Sequence, residues 1–174
     1  VTKYEMTNTN GLGQAVSYTI TTNNDTAEIT YNANNDITEG INVVFGATDV
    51  IVTKQESGAI DTITGGNFGT ITGTIFNDNF SIDNSWGTAK TINGDDGVNT
   101  LDFSKINVGK TISISVDLSG ATGSVLVANY TGSSNLTAKE MTIIRGSNNS
   151  ALNFTLNLTG IATSYQGIQI NGGT

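Results

Sequence analysis

The sequence predicts an all-β protein in which short strands alternate with turns rich in Gly, Asn and Asp. Lys110 to Leu118 (KTISISVDL) and Ala151 to Leu158 (ALNFTLNL) place an apolar residue at every second position, which is the period of a half-buried strand. The composition agrees, because Thr, Val and Ile favour strands whereas Asn, Gly and Asp favour turns. Long runs of the best helix formers do not occur.

Alternation also predicts which side chains of these two segments are buried, since successive side chains of a strand point to opposite faces. The predicted core set is Ile112, Ile114, Val116, Leu152, Phe154 and Leu156. Short strands with such turns fit a β-solenoid of the β-roll kind or a β-sandwich. The 174 residues are enough for a single domain over 1–174. The alternative is a division into an N-terminal β-meander over 1–58 and a solenoid-like part over 59–174.

The first third of the chain reads as short strands separated by turn residues. Strands are predicted at Thr2 to Met6, Ala15 to Thr22, Ala27 to Tyr31, Ile41 to Phe45 and Asp49 to Lys54. Asn10-Gly11 is a strong turn signal between the first two strands, so an ordinary hairpin is expected there. The first strand also lies near a chain end, where it could pair with another copy of the protein.

The tripeptide Thr-Ile-Thr occurs at Thr62 to Thr64 and again at Thr70 to Thr72. Such equal segments on either side of a Gly-Gly turn are typical of hairpin arms or of successive edges of a solenoid. Further strands are predicted at Ser124 to Tyr130, Met141 to Arg145 and Gly167 to Ile170, and the single predicted helix is Leu136 to Met141. Because the sequence stops where another Gly-Gly turn would start, we expect its last strand to meet a neighbouring copy or a continuation of the protein.

Two nine-residue segments share one frame: Gly73 to Ser81 (GTIFNDNFS) and Gly94 to Asp102 (GDDGVNTLD). Each has glycine first, Asp or Asn sixth and a large apolar residue eighth. Glycine reaches positive φ without a Cβ penalty, so the first six residues can form a tight turn whose carbonyls and sixth side chain converge on a cation. The last three residues then form a short strand that places the eighth side chain, Phe80 or Leu101, in the core.

This frame resembles the calcium-binding nonapeptide of parallel β-rolls. The chain is similar to the degenerate parts of RTX-type (repeats-in-toxin) secreted proteins, in particular Asn/Thr/Gly-rich surface-layer proteins and large adhesins. A third segment, Glu140 to Asn149 (EMTIIRGSNN), carries the same likeness, although its acidic position falls on Ala151. The resemblance implies a secreted location at the extracellular cell surface and Ca2+ as the cofactor. The implied ligands are Asp78, Asp95, Asp96, Asn99 and Asp102.

The charged and reactive residues exclude several classes of function. The chain has no His and no Cys, so histidine-dependent catalysis, disulfides and thiolate metal sites are ruled out. Seven Lys and Arg against fifteen Asp and Glu give a net charge of −8, and the basic residues are dispersed. Nucleic acid is therefore not expected as a partner, since a binder needs a basic face for the phosphates. No apolar run approaches the roughly 18 residues of a membrane span.

We do not expect an enzyme. The only plausible apparatus is a pair of carboxylates or a Ser with a Lys base, and the carboxylate candidates are Asp95 with Asp96, Asp78 with Asp83, and Glu140. These residues lie in glycine turns, where solvation should keep their pKa ordinary. Aromatic residues make up only 7% of the chain, which leaves little to stack a sugar in a cleft.

Two classes of function remain. The preferred class is a structural building block of a bacterial secreted surface assembly (a surface layer, a filament or an adhesin segment), in which copies associate through sheet edges and calcium-stabilised turns. The strands around Thr2 to Met6 and Gly167 to Ile170 are expected to meet between copies. The alternative is a calcium-dependent carbohydrate-binding module that holds cell-surface glycans, with Trp86 as its stacking platform.

Overall fold

Strands account for every regular element in the residues that the computed structural model describes. Those residues are 2–7, 12, 14–22, 26–31, 38–46, 49–64, 68–83, 90–106, 111–117, 125–130, 136–147, 151–157 and 169–171. The strands are β1 (Thr2–Glu5), β2 (Thr19–Thr21), β3 (Ala27–Thr30), β4 (Ile41–Phe45), β5 (Val50–Lys54), β6 (Ile60–Thr64), β7 (Phe68–Thr72), β8 (Asn79–Asp83), β9 (Lys90–Asn93), β10 (Thr100–Lys105), β11 (Thr111–Asp117), β12 (Val125–Tyr130), β13 (Leu136–Lys139), β14 (Ile143–Arg145), β15 (Ala151–Asn157) and β16 (Gln169–Asn171). The prediction of an all-β protein is confirmed.

The strands form two mixed eight-stranded sheets. Sheet 1 has the order β1-β3-β7-β9-β13-β12-β11-β15, and sheet 2 has the order β16-β14-β10-β8-β4-β5-β6-β2. Among the described strands, antiparallel pairs occur only where β5 and β6 enter sheet 2 and where β11 and β12 enter sheet 1. All other neighbours run parallel.

Apart from those four strands, the chain passes from sheet 1 to sheet 2 and back with each successive strand. We call a sheet 1 strand together with the sheet 2 strand that follows it a rung. The six rungs are β1/β2, β3/β4, β7/β8, β9/β10, β13/β14 and β15/β16. The strands β5 and β6 separate the first two rungs in sheet 2, and β12 and β11 separate the last two rungs in sheet 1.

Corresponding residues of successive rungs stack in columns, because the parallel strands pair in register. One core column in sheet 2 consists of Val43, Phe80, Leu101 and Ile144. Its counterpart in sheet 1 consists of Ile29, Ile71, Ile92 and Ala138. All eight side chains are 0% exposed, and burying a large aliphatic or aromatic side chain contributes about 1.5 to 3 kcal/mol. The eighth position of the nine-residue frame, Phe80 or Leu101, is in the core as predicted.

Two local predictions are wrong. Leu136 to Met141 is not a helix, because Leu136–Lys139 is β13 and pairs with β9 and β12. Its alternate residues Leu136 and Ala138 are buried. Burial of every second residue is the pattern of a strand and not of an amphipathic helix. The hairpin expected between the first two strands does not form either, since β1 lies in sheet 1 beside β3 while β2 lies in sheet 2 beside β6.

The equal Thr-Ile-Thr tripeptides also lie in different sheets, one in β6 and the other in β7. They are consecutive strands of different sheets and therefore not the arms of one hairpin. Of the predicted core set, Ile114 is buried, with 2% of its surface exposed, which confirms that prediction. The side chains of Ile112, Val116, Leu152, Phe154 and Leu156 lie outside the described residues.

Strand pairs connect the two parts of the chain on either side of residue 58. The pair β3–β7 and the pair β4–β8 each join a strand from before that position to one from after it, and buried residues from both parts form one cluster. No helix long and apolar enough to cross a membrane occurs in the part of the chain that the structure describes.

Candidate functional site: the stacked turns between the sheets

The two segments with the shared frame form turns that stack on each other. Residues 73–78 connect β7 to β8, and residues 94–99 connect β9 to β10. Because β7 pairs with β9 and β8 with β10, the two turns are held one strand spacing apart, about 4.8 Å. Gly73 N donates to Asn93 O at 2.8 Å and Thr100 N donates to Asp78 O at 2.9 Å, so the parallel ladder continues at both ends of the turns.

The sixth residue of the first turn, Asp78, points into its own turn. Its Oδ1 accepts hydrogen bonds from Ile41 N and from Thr74 Oγ1, both at 2.8 Å. Its Oδ2 accepts one from Thr74 N at 2.6 Å. Only 2% of the residue is exposed. The Asp78 carboxylate is therefore surrounded by donors that belong to this chain.

The sixth residue of the second turn, Asn99, is fully buried in the equivalent place, but its partners have the opposite polarity. Its Nδ2 donates to the carbonyls of Asp95 at 3.3 Å, Asp96 at 3.0 Å and Glu140 at 3.1 Å. Its Oδ1 accepts from Asp78 N at 3.0 Å. The amide thus satisfies carbonyls of its own turn and of the next rung.

Together Asp78 and Asn99 form a short ladder that links four rungs, from Ile41 to Glu140. In both cases the side-chain oxygen accepts the N–H of the corresponding residue one rung earlier, which is Ile41 for Asp78 and Asp78 for Asn99. Buried N–H and C=O groups without partners are costly, and turns between two sheets bury such groups. The sixth position therefore satisfies the polar backbone of the turns.

The first glycine of each turn leaves room for this arrangement. A Cβ on Gly94 would lie 2.5 Å from Asn99 Nδ2 and 2.6 Å from Glu140 O, and a Cβ on Gly73 would overlap Asp78 Oδ2. Gly97 has φ 90°, which side chains rarely tolerate. Glycine at position one is required because the sixth side chain packs against its Cα.

Burial changes the acid–base behaviour of Asp78. Desolvation raises the pKa of its carboxyl from 3.8 to about 6, although the hydrogen bonds from Thr74 and Ile41 act in the opposite direction, and the nearby charge of Asp95 raises it further. The expectation that solvation keeps the pKa of these carboxyls ordinary is wrong for Asp78, because its side chain faces the interior of the turn.

An acidic depression lies on the outer side of the second turn. It has a volume of about 410 Å³ and is lined by Asn93, Asp95, Asp96, Lys139 and Glu140. Burial raises the pKa of the Glu140 carboxyl, and the negative charges of Asp95 and Asp96 raise it further, against the opposite effect of Lys139. The three carboxyl groups of Asp95, Asp96 and Glu140 line the same depression, so their negative charges repel one another.

The structure divides the five predicted calcium ligands among three places. Asp78 and Asn99 lie inside the turns, and Asp95 and Asp96 line the acidic depression. Asp102 lies on β10 in register with Ser81 and Arg145, and its Oδ1 accepts from Ser104 N at 2.8 Å. Within the described ranges, no group of three or more Asp and Glu has the geometry to hold a metal ion. Trp86 lies outside the described residues.

Sequence reasoning missed a buried ion pair at the other end of the molecule. Lys54 Nζ lies 3.4 Å from Asp61 Oδ1, and both side chains are 0% exposed. Lys54 Nζ also donates to Val16 O at 2.6 Å. Asp61 accepts from Tyr18 N and from the Tyr31 hydroxyl, each at 2.8 Å. Burial and the Asp61 carboxylate raise the pKa of Tyr31 well above its ordinary value.

A signal for this pair was present in the sequence. On β5, Lys54 lies on the same inward face as Val50 and Val52. On β6, Asp61 lies on the same inward face as Ile63. Charged residues at inward positions of two neighbouring strands indicate a paired interior. The pair joins the β5–β6 insert to residues 16–18 and to Tyr31 after β3.

Comparison of the chain with protein-family models, with curated proteins and with solved structures finds no match.

Proposed function

We propose that this chain is a structural building block of a bacterial secreted surface assembly, such as a surface layer, a filament or an adhesin segment, and that its fold is a two-sheet β-roll. The observation that carries the proposal is the rung architecture. Parallel strands stack in two sheets that do not close within the described residues, where the end strands are β1 and β15 in sheet 1 and β2 and β16 in sheet 2. An open sheet edge is a template for another strand.

The chemistry of the turns supports a structural function over a catalytic one. A catalytic carboxylate must reach a substrate, yet the Asp78 oxygens accept three hydrogen bonds from Ile41 and Thr74 inside the turn. Asn99 is saturated in the same way by carbonyls. The most motif-like residues of the chain thus stabilise the stack of rungs.

Calcium is the second part of the proposal. Of the five ligands expected from the sequence, Asp95 and Asp96 line the acidic depression beside Glu140, whereas Asp78 and Asn99 lie inside the turns. A divalent ion at Asp95 and Asp96 would offset the repulsion that raises the pKa of Glu140. Binding to the folded state alone at a site of tens of micromolar affinity would add about 2 to 3 kcal/mol in millimolar calcium.

The calcium site is tested by thermal unfolding in calcium and in chelator. We expect a higher Tm in calcium for the wild type and a smaller difference for the Asp95→Asn/Asp96→Asn variant. Asp49→Asn, the same change at an exposed position, is the control and should keep the full difference. A wild-type Tm that is the same in calcium and in chelator would remove calcium from the proposal.

The structural function is tested by the size of the purified protein. Sedimentation velocity over a range of concentrations, with calcium and with chelator, should show particles that grow beyond the monomer. A protein that stays monomeric under every condition and binds a glycan array would instead support the carbohydrate-binding alternative, for which Trp86 is the residue to change.

A further inference from the structure

We infer that copies of this chain join head to tail through stepped ends, so that both sheets continue from one copy into the next. The inference rests on the proposed structural function and names the partner, a second copy, and the strands that pair. It follows from the positions of the two inserted strand pairs, from the hydrogen-bonding edges of the end strands, and from one exposed residue of a core column.

The two ends of the molecule are steps of equal height. Beyond the β3/β4 rung, sheet 1 has one more strand, β1, whereas sheet 2 has three, β5, β6 and β2. Beyond the β13/β14 rung the situation is reversed, since sheet 2 has only β16 whereas sheet 1 has β12, β11 and β15. Sheet 2 therefore projects by two strands at the first end, and sheet 1 projects by two strands at the second.

These steps fit each other in a head-to-tail contact. Each sheet has eight strands, so one translation by eight strand spacings, roughly 38 Å, places the next copy beside both end strands at once. In sheet 1 the next β1 then lies beside β15, and in sheet 2 the next β2 lies beside β16. Both new pairs are parallel, because all six rungs run in the same direction through their sheets. An interface of this kind does not close and produces a filament.

The outward-facing backbone groups of the sheet 2 edges select a register. Gln169 N donates to Thr142 O and Asn171 O accepts from Gly146 N, on either side of β14, so the N–H and C=O of Ile170 face the open edge. On either side of β2, Tyr18 O accepts from Thr62 N and Thr22 N donates to Thr64 O, so by alternation the groups of Ser17, Thr19 and Thr21 face the open edge. A parallel ladder needs one residue to bond to the two neighbours of its opposite, and Ile170 opposite the next Tyr18, between Ser17 and Thr19, meets this requirement.

The apolar core reaches the joint in the same register. Ile170 lies opposite Ile144 and extends the core column of Phe80 and Leu101. Ile144 is 0% exposed, whereas Ile170 is 41% exposed, because the column ends there. At the other end of sheet 2 the same row runs through Val43 and Val52 to Asp61, beside which Tyr18 lies. Tyr18 is 39% exposed, and the next Tyr18 would continue the column and cover Ile170. The flanking residues Gln169, Asn171, Ser17 and Thr19 carry no charge, so the joint brings no like charges together.

This arrangement changes the strand pairing that the sequence suggested between copies. β1 and β16 belong to different sheets, so in a continued stack they do not meet each other. Each pairs with another end strand, β1 with β15 and β16 with β2.

Cysteine cross-linking tests the joint directly, since the chain has no cysteine of its own. In the expected register Asn171 lies opposite the next Thr19, with their Cα atoms about 4.8 Å apart, within the range of a disulfide. Under mild oxidation, a mixture of full-length Asn171→Cys and full-length, size-tagged Thr19→Cys should give the mixed dimer as the main product. Each variant alone should give at least several-fold less, because identical ends do not meet in a head-to-tail contact.

The register has its own control. Thr21→Cys in place of Thr19→Cys moves the sulfur two residues along the strand, roughly 6.6 Å, and should lower the yield of the mixed dimer several-fold. Equal yields with Thr19→Cys and Thr21→Cys, or equal yields from the mixture and from each variant alone, would overturn the joint.

A second pair of variants separates this inference from the proposed function. Ile170→Lys places a charge in the core column at the joint. The protein concentration needed for assembly should rise at least tenfold, while the circular dichroism spectrum stays unchanged. Ile75→Lys is the matched control at a 54% exposed residue of the first turn, and its particles should match the wild type in size. If Ile170→Lys also assembles like the wild type, the joint is wrong and the structural function stands. If the wild type stays monomeric and the cysteine mixture gives no mixed dimer, both are wrong.

Discussion

The turns 73–78 and 94–99 occupy the same place in successive rungs, and each begins with a glycine. The hydrogen bonds of the sixth side chain nevertheless have opposite directions in the two turns. Asp78 is surrounded by hydrogen-bond donors, whereas the Nδ2 of Asn99 is surrounded by carbonyl acceptors. The difference begins one residue after the glycine. Thr74 supplies an N–H and a hydroxyl to Asp78, whereas Asp95 has φ 62° and supplies its carbonyl to Asn99.

This comparison shows that Asp and Asn are not interchangeable at the sixth position, although they have the same shape. A carboxylate only accepts hydrogen bonds, whereas an amide both accepts and donates. Each turn is therefore matched to one of the two residues. The four predictions below test this match, beginning with the largest expected effect.

Asn99→Asp should be the most damaging exchange. It replaces the donor Nδ2 with an oxygen that faces the carbonyls of Asp96 and Glu140 in a fully buried place. An uncompensated buried charge costs about 3 to 5 kcal/mol, and urea unfolding at pH 7 to 8 should show a loss of this size. Protonation removes the charge, so the loss should shrink as the pH falls to 4. A loss under about 1 kcal/mol at pH 8 would contradict the match.

Asp78→Asn should change how stability depends on pH. Burial raises the pKa of Asp78 to about 6 from 3.8, so the folded protein retains this proton more tightly than the unfolded chain. The contribution of Asp78 is complete below pH 3.8 and is lost as the pH rises through 6, a decrease of about 3 kcal/mol. The variant has no such titration.

The quantity to measure is the free energy of unfolding of the wild type minus that of Asp78→Asn, between pH 4 and pH 7. It should fall as the pH rises, because the effects of the other carboxyls cancel in the difference. Asp49→Asn makes the same change at an exposed residue and should give a difference that varies far less. A wild-type advantage that grows with pH would show that hydrogen bonding outweighs burial at Asp78.

Gly94→Ala should cost about 2 kcal/mol, within the range for overpacked sites. Its Cβ would lie 2.6 Å from Glu140 O, a backbone atom that cannot rotate away. Gly73→Ala tests the other turn, where the overlap is with the Asp78 side chain. Gly58→Ala measures the opposite case, strain at positive φ without overlap, since Gly58 has φ 69° and no atom near the added Cβ, whereas Gly94 does not have positive φ. Equal thermal stability of Gly94→Ala and wild type would show that the turn yields easily.

The smallest effects should come from the residue after the glycine. Thr74→Val removes the hydroxyl that donates to Asp78 at 2.8 Å and accepts from Phe76 N at 3.0 Å, and should cost about 1 to 2 kcal/mol for the two hydrogen bonds. Asp95→Asn keeps the backbone carbonyl that Asn99 uses, and Asn tolerates positive φ, so its cost should stay under about 0.5 kcal/mol. Denaturation midpoints of the two variants, measured together, rank them. The reverse order would mean that the side chain of Asp95, and not its carbonyl, holds the second turn.

Several elements could be predicted from the sequence because their evidence is local. Ile41–Phe45 is a strand with the predicted ends, and Thr111–Asp117 lies within the predicted Lys110 to Leu118. Alternation over five to nine residues is sufficient for such strands. Leu136 to Met141 failed because a six-residue segment with two or three apolar residues fits either period, and its neighbours β9 and β12 decided the outcome.

The candidate site was predicted in its residues but not in its chemistry. The glycine, the Asp or Asn and the apolar residue of each frame lie where the spacing indicated. The direction of the sixth side chain did not follow from the spacing, because its partners come from distant parts of the chain. Ile41 N is 37 residues before Asp78, and Glu140 O is 41 residues after Asn99.

The sequence by itself determined that the chain forms short strands with glycine turns and which residues alternate inward, since both follow from the local preferences of neighbouring residues. Only the tertiary structure decided which strands are neighbours and that each sheet has eight of the described strands. The same arrangement brings Lys54 to Asp61 and joins Asp78 and Asn99 in one ladder. These are contacts between residues far apart in sequence, and they depend on how the complete chain buries its apolar columns while satisfying its buried polar groups.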